Sequence, residues 1–175
     1  MEAQLRIYKV DPDDRWKCVQ SLQHDLVFLS FRDDARFVSL HTMPAPPPSI
    51  EPEAVRSLRS AVTTADELRS MMESPVLELR QYRVFPGKRA LFAKFFRENC
   101  LQPLVEYGMK VYGQFDDVDD ENVFTWFRGF PDLVERDRRK AAFYGSQLWL
   151  NELQDEAFSM IEDYTNVMLV MPVRR

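Results

Sequence analysis

The chain contains few cysteines and histidines, which leaves little material for metal, haem or disulfide chemistry. Cys18 and Cys100 are its two cysteines, and one pair cannot build a disulfide framework. Neither has a Cys or His neighbour at metal-ligand spacing, so we predict two small buried thiols and no metal site. A haem ligand would have to be His24 or His41, and His24 is next to a predicted turn. We therefore expect no cofactor.

Positive charge, long apolar runs and catalytic glycine motifs are also scarce. The formal net charge of −5 and the pI of about 5.2 disfavour nucleic acid and polyanionic membranes as partners. No apolar run approaches the roughly 20 residues that span a bilayer. The first residues resemble no signal peptide, so we expect a cytoplasmic protein. The chain has no Gly-rich phosphate loop, G-x-S-x-G elbow or H-E-x-x-H motif, which leaves conventional nucleotide, serine-hydrolase and zinc-protease chemistry unsupported.

Two segments of the chain repeat each other. Residues 5–15 read LRIYKVDPDDR and residues 79–89 read LRQYRVFPGKR. The matched pairs keep one constant spacing: Leu5/Leu79, Arg6/Arg80, Tyr8/Tyr82, Val10/Val84, Pro12/Pro86 and Arg15/Arg89. A second match follows in order, where residues 31–34 and 115–117 carry Phe and Asp between strand-like runs. We therefore predict two copies of one unit, with domains at residues 1–74 and 75–175.

Each copy reads as a strand, a helix, a hairpin and a closing helical region. The predicted first strands are Leu5–Val10 and Val76–Val84, each followed by a proline that can open a helix or turn. The first helix of copy one is predicted at about residues 13–23, with Trp16 inward. In copy two, aromatic residues at 92, 95 and 96 form a helical stripe that Pro103 interrupts near its end.

The closing regions of the two copies differ. In copy one, apolar residues at helical spacing from Val55 to Met72 predict a helix, with no fourth strand after it. In copy two, Asp132 and Glu135 form a predicted capping pair, and Gly145 ends that helix. A second stripe over residues 149–161 predicts another helix, and residues 166–171 predict a last strand.

These units predict an α+β fold with two tandem ferredoxin-like halves that close into one intrachain, pseudo-dimeric α/β barrel. Such a unit has a sheet with helices on one face, and the second copy would cover the other face. Alternation along the strands of copy two separates Leu77 and Leu79 from a mixed set. That mixed set is Glu78, Arg80, Tyr82, Tyr112, Gln114, Phe124, Trp126, Arg128 and Phe130. We expect the apolar set to face the helices and the mixed set to line the barrel.

A buried guanidinium is costly unless it is paired and hydrogen-bonded, so the mixed face is the main functional clue. One interpretation is an ion-pair network between Glu78 and the arginines, or a solvated face. The other is a wet cavity in which Arg80 and Arg128 hold a carboxylate, enolate or carbonyl. Tyr82 would then donate a hydrogen bond, and Trp126 would stack on a planar ligand.

Copy two resembles the NIPSNAP family over about residues 76–173. The resemblance is carried by Glu78-Leu-Arg-Gln-Tyr82, Pro86-Gly87, Gly113-Gln-Phe115, Trp126-Phe-Arg-Gly-Phe130, Phe143-Tyr144-Gly145 and Trp149. It implies a dimeric α/β-barrel fold. Related barrels include cofactor-free monooxygenases, polyketide-modifying enzymes and haem-processing proteins. NIPSNAP proteins themselves have no agreed activity, so the resemblance implies little chemistry.

Copy one departs from this pattern, because it keeps Arg6 and Tyr8 but has His41 near the position equivalent to Arg128 and Ser39 near that of Trp126. The predicted catalytic residues are Arg80, Tyr82, Arg128 and His41. The predicted ligand-binding residues are Glu78, Gln114, Phe124, Trp126, Tyr144, Trp149, Arg6 and Tyr8.

Three functions stay open from the sequence. The first is a cofactor-free enzyme that oxygenates, isomerises or cyclises a planar, polyketide-like acid or enol, with a small-molecule ligand in the barrel cavity. The second is a binding protein that uses the same cavity without catalysis. The third is an interaction module with a plugged barrel, whose Arg-rich residues 135–140 contact an acidic partner. If the repeat is false, the barrel would instead close between two chains as an obligate homodimer.

Overall fold

The computed structural model describes residues 1–22, 26–43, 48 and 50–174. His24 and the proline-rich residues 44–47 lie outside the described residues. The first half contains strands β1 (Glu2–Lys9), β2 (Leu26–Ser30), β3 (Arg36–Thr42) and β4 (Ala54–Arg59). Its helices are α1 (Arg15–Ser21) and α2 (Ala65–Ser70), and a 3-10 turn follows at Met71–Glu73.

The second half has longer elements. Its strands are β5 (Val76–Val84), β6 (Lys110–Asp117), β7 (Val123–Phe130), β8 (Ile161–Asp163) and β9 (Val167–Pro172). Its helices are α3 (Arg89–Phe95), α4 (Leu101–Glu106), α5 (Leu133–Tyr144) and α6 (Gln154–Met160), with π-helical turns at Phe96–Cys100 and Trp149–Leu153.

Eight of these strands close into a barrel. The order is β7-β6-β4-β1-β3-β2-β9-β5, and β5 pairs again with β7, while β8 extends from β5. Each half has the ferredoxin-like order in its own sheet, and the halves join through β4–β6 and β2–β9. All recorded pairings are antiparallel. The predicted barrel of two ferredoxin-like halves is confirmed.

The predicted helix from Val55 to Met72 is wrong in its first part, and so is the predicted lack of a fourth strand. Residues 54–59 form β4, which pairs with β1 and closes the barrel against β6. In β4, Val55 is exposed while Leu58 is buried, and pairing on two sides satisfies the backbone that a helix would otherwise satisfy itself. The helix begins only at Ala65, where the Thr64 hydroxyl accepts a hydrogen bond from the Glu67 amide.

The interior of the barrel is apolar, which reverses the predicted assignment of faces. One buried cluster combines strand residues of both halves: Leu5, Phe28, Val38, Leu40, Leu58, Leu77, Leu79, Phe115, Phe127 and Val170. The Phe28 and Phe127 rings meet across it with centroids 6.4 Å apart. The mixed set of β5 and β7 packs instead with helices α3 to α6. Alternation placed each set on a common face, and it is the apolar set that faces the barrel interior.

A bulge in β6 also changes the predicted alternation there. The register against β7 shifts between Tyr112 and Gln114, and Gly113 at the shift has φ +54°, a conformation that favours glycine. Because of the extra residue, Tyr112 and Phe115 both join the interior cluster.

Two predictions about other helices have different outcomes. The predicted cap at Asp132 is confirmed, since its side chain accepts from the Glu135 amide at 2.7 Å at the start of α5. In α1, Trp16 was predicted to face inward but is 54% exposed, whereas Val19 is buried. Pro103 does not end its helix. It lacks the N–H that would bond the carbonyl four residues back, and the wider π-helical turn just before it lets the helix continue.

Candidate functional site

A cavity of about 370 Å³ lies between the sheet of the second half and its own helices. Its walls are mainly aromatic, and they include Tyr82, Phe96, Trp126, Phe143, Tyr144 and Trp149. Arg80, Arg128 and Lys140 supply the charged part of the wall. The cavity is therefore outside the barrel, and the predicted ligand position inside the barrel is wrong because apolar side chains occupy that space.

Both π-helical turns of the second half contribute to this cavity. Phe96 and Cys100 come from the first turn and Trp149 from the second. Phe158 and Tyr164 stack on each other at the edge and are 40% and 48% exposed. Since π-helical turns occur often at functional sites, their position on two sides of one cavity supports a binding role.

The polar wall is organised around the carboxylate of Glu78, which is fully buried. Its Oε2 accepts from Arg128 Nε at 2.5 Å and from Arg80 Nη1 at 2.6 Å. Its Oε1 accepts from Arg136 Nε at 2.6 Å and from Lys140 Nζ at 3.2 Å. One carboxylate therefore serves four cations, and the wall keeps an excess of positive charge.

This arrangement stabilises the charged form of the carboxylate. Burial alone would raise the pKa of Glu78, but the charges of Arg128, Arg80, Lys140 and Arg136 outweigh it and hold the pKa well below its usual range. Glu78 consequently stays ionised at neutral pH and fixes the two guanidinium groups beside the cavity.

Arg128 and Trp126 retain hydrogen-bond donors that the protein does not use. Arg128 Nη1 donates to Tyr144 Oη at 3.1 Å, but its Nη2 is buried without a partner. The indole Nε1 of Trp126 is also buried without a partner. A buried donor without an acceptor costs about 1–3 kcal/mol. Both residues line the cavity, but these two donor atoms are themselves enclosed by protein, so a ligand oxygen could reach them only after a side chain shifts.

The Tyr82 phenol in the wall is a hydrogen-bond donor at neutral pH. Burial raises the pKa of Tyr82 to about 12, although nearby Arg80 opposes the shift. Tyr82 Oη accepts from Arg80 Nε at 2.8 Å, which leaves its own hydrogen available. Burial likewise raises the pKa of the Cys100 thiol to about 12. Neither group is a base at neutral pH.

Lys140 is the group in the wall whose pKa moves toward neutrality. Burial lowers the pKa of its ammonium group, Arg128 and Arg136 lower it further, and Glu78 opposes them. Within the described part of the chain, no cluster of three His, Cys, Asp or Glu side chains could hold a metal ion. Among those same residues, no helix is long and apolar enough to cross a membrane.

The NIPSNAP family model matches residues 77–173, which is more than half of the chain and contains the whole cavity wall described above. The chain belongs to the NIPSNAP family. A NIPSNAP domain protein of Burkholderia xenovorans aligns with a TM-score of 0.51 and 17% identity, covering 56% of this chain and 94% of that chain. A NIPSNAP family protein of Agrobacterium tumefaciens aligns with a TM-score of 0.51 and 21% identity, covering 56% of this chain and 85% of that chain.

The whole two-half barrel is also similar to a known structure. A protein of Lactobacillus acidophilus named as a candidate monooxygenase aligns with a TM-score of 0.63 and 9% identity, covering 98% of this chain and 93% of that chain. At this identity the likeness shows the fold alone. No curated protein matches the chain significantly.

The NIPSNAP half brings together most of the predicted site residues. Arg80, Tyr82, Arg128, Trp126, Tyr144 and Trp149 line the cavity. Glu78 does not line the cavity, but its carboxylate binds Arg80, Arg128 and Lys140, which do. Phe124 packs edge-on against Phe92, with centroids 5.3 Å apart, and supports the wall without lining it. Gln114 lies on β6, where its backbone N–H donates to the Thr63 hydroxyl. Its side chain does not line the cavity.

The predicted residues of the first half lie elsewhere. The strand registers confirm the predicted equivalences, since Arg6 is opposite Ser39 as Arg80 is opposite Trp126. His41 Nε2 is 2.7 Å from Ser39 Oγ, and His41 is absent from the wall of the NIPSNAP cavity. Tyr8 stacks on Phe37 at 4.5 Å. The first half therefore keeps the strand pairing of the site but fills the space with its own side chains.

Sequence reasoning missed Arg136 and Lys140 as site residues. It treated residues 135–140 as an Arg-rich segment that contacts an acidic partner, yet Arg136 and Lys140 turn inward to Glu78. Arg138 and Arg139 instead pair with Glu135 on the surface. The four-residue spacing of Arg136 and Lys140 on one helix face was the available signal.

Proposed function

We propose that this NIPSNAP protein binds a planar, oxygenated small molecule in the cavity between its second sheet and helices, and that it acts on that molecule without a cofactor. The single observation that carries the proposal is an aromatic cavity of about 370 Å³ whose wall contains Arg80 and Arg128. That volume suits a small ligand, and the aromatic wall suits a flat one.

The wall supports chemistry through an enol or enolate. Arg80 and Arg128 are held rigidly by Glu78, so their positive charge is already in place for negative charge that develops on a ligand oxygen. Tyr82 and Tyr144 each accept from an arginine and can donate their own hydrogens to the ligand. Lys140 adds a third cation to the same wall and is held by Glu78 Oε1 at 3.2 Å. Oxygenation, isomerisation or cyclisation of a polyketide-like acid fits these roles.

A non-catalytic binding protein is the second candidate function. The observation in its favour is that Tyr82 and Cys100 both hold their protons at neutral pH, and that His41 is in the other half. A cavity with few groups that exchange protons near neutrality suits retention of a ligand as well as its conversion.

The binding claim is tested with 2-naphthoate, a planar aryl carboxylate, by isothermal titration calorimetry. Arg128→Lys keeps a positive charge beside Glu78 but removes the guanidinium from the cavity wall. We expect an affinity loss of about 1.5–3 kcal/mol, the usual contribution of a hydrogen bond to a charged group. Arg138→Lys is the matched control, because Arg138 is exposed and pairs with Glu135. Equal affinity in both variants would refute the assignment of Arg128.

The catalytic claim needs a separate measurement. A dihydroxynaphthalene is incubated with the protein in air, and oxygen consumption and product masses are recorded. Turnover that falls in Arg128→Lys but persists in Arg138→Lys would support an enzyme. Tight binding with no product after long incubation would favour the non-catalytic candidate.

A further inference from the structure

A second cavity of about 300 Å³ adjoins the first and is cationic. Its wall contains Arg32, Arg80, Arg136 and Lys140, together with Tyr164. Arg80, Lys140 and Tyr164 also line the aromatic cavity, so the two spaces lie on either side of the same three side chains. We refer to this second space as the vestibule.

The charges around the vestibule do not balance. Arg32, Arg80, Arg136 and Lys140 line the vestibule and carry its positive charge. Glu78 is shared among Arg80, Arg136 and Lys140 as well as Arg128, and Asp137 pairs with Arg136 at 2.5 Å. Against the four cations of the wall, Glu78 and Asp137 leave about two unbalanced positive charges. Asp163, which is next to the wall residue Tyr164 in the chain and accepts the hydroxyl hydrogen of Thr165, would reduce this excess to about one.

Arg32 belongs to the first half of the chain, so both halves contribute residues to the vestibule wall. It lies in the turn between β2 and β3, and among the described residues its exposed side chain makes no ion pair or hydrogen bond. The Phe31 amide donates to Leu169 O at 3.0 Å, and Ser30 is opposite Val170, so the turn is held against β9. The first half, which fills its own site, thus supplies a free guanidinium to the NIPSNAP half.

We propose that the vestibule binds a phosphate dianion, and that the ligand is a phosphate ester whose planar apolar body occupies the aromatic cavity. This inference rests on the proposed function for the position of the body. A dianion matches the excess charge that Glu78 and Asp137 leave, whereas a carboxylate leaves about one positive charge unbalanced. Arginine is suited to phosphate because its planar donors can bind two oxygens at once.

The test compares 2-naphthyl phosphate, 2-naphthoate and inorganic phosphate by isothermal titration calorimetry at low salt. We expect the phosphate ester to bind about tenfold tighter than the carboxylate, the factor that one added charge-assisted hydrogen bond provides. Arg32→Gln should remove about that factor for the ester and leave 2-naphthoate unchanged. Arg69→Gln is the matched control, because Arg69 is 69% exposed on α2 and pairs with Asp66.

The outcomes separate the two proposals. If 2-naphthoate binds but the ester binds no tighter, or Arg32→Gln does not weaken the ester, the phosphate inference is wrong while the proposed function stands. If inorganic phosphate binds and neither naphthyl compound does, the aromatic cavity does not hold the body and both proposals fail. Arg32 is exposed, so the thermal midpoint of its variant should equal that of the wild type.

Discussion

Replacing Glu78 with glutamine is the sharpest perturbation of this protein, because one carboxylate holds four cations together. The change keeps shape and removes charge, so Arg80 and Arg128 remain buried without their counter-ion. Removing one partner of a buried ion pair costs about 3–5 kcal/mol. For a chain of this length each kcal/mol lowers the thermal midpoint by roughly 2–4 °C, so we expect a fall of roughly 6–20 °C.

The pH dependence of the protein's stability provides an independent test of the role of Glu78. The pKa of Glu78 is lower in the folded state than in the unfolded state, where a glutamate titrates near about 4.3. Its stabilising effect is therefore fully present above that value and is lost as the pH falls through the lower folded-state pKa. The wild type should lose this contribution in acid, and Glu78→Gln should not.

Thermal unfolding followed by circular dichroism, at neutral pH and in steps toward acid, measures both effects. Glu2→Gln is the matched control, since Glu2 is exposed on β1 and pairs with exposed Arg59. We expect little change from it, as for surface ion pairs in general. If Glu78→Gln destabilised no more than Glu2→Gln, the central role given to this carboxylate would be refuted.

Two further predictions concern a cysteine in the cavity wall and a glycine in the sheet. Cys100 is buried with its pKa raised to about 12, whereas Cys18 is half-buried, so iodoacetamide at pH 8 should alkylate Cys18 first. Because Cys100 lines the cavity, 2-naphthoate should slow its labelling further, and faster labelling of Cys100 in peptide mass spectrometry would contradict this prediction. At Gly129, which does not line the aromatic cavity, an added Cβ would clash with Ser74 Oγ and lie 2.8 Å from Tyr112 Cε2. Gly129→Ala should therefore cost about 1–3 kcal/mol in urea unfolding, and an unchanged midpoint would contradict this.

Much of the fold could be read from the sequence because strand alternation and repeated motifs are local properties. The repeat beginning at Leu5 and Leu79 predicted two equivalent sheets, and the strand registers confirm that Arg6 and Arg80 occupy equivalent positions. The cap at Asp132 was also predictable, because it depends on residues three positions apart. The division at residue 74 stays a prediction.

The errors came from properties that depend on distant parts of the chain. The apolar spacing around Val55 and Leu58 fits a helix, but pairing with β1 and β6 made this segment a strand. Tertiary contacts also turned Arg136 and Lys140 inward to a carboxylate in a distant strand, which their local sequence does not specify.

The sequence by itself determined which residues share a face, because successive side chains on a strand point to opposite sides. It could not determine which face would be enclosed, since that choice depends on how two sheets close on each other. The tertiary structure placed the leucines and phenylalanines inside the barrel, where the two halves bury them against each other. It placed Glu78, Arg80 and Arg128 under the helices, where Arg136, Lys140 and the tyrosines can pair with them.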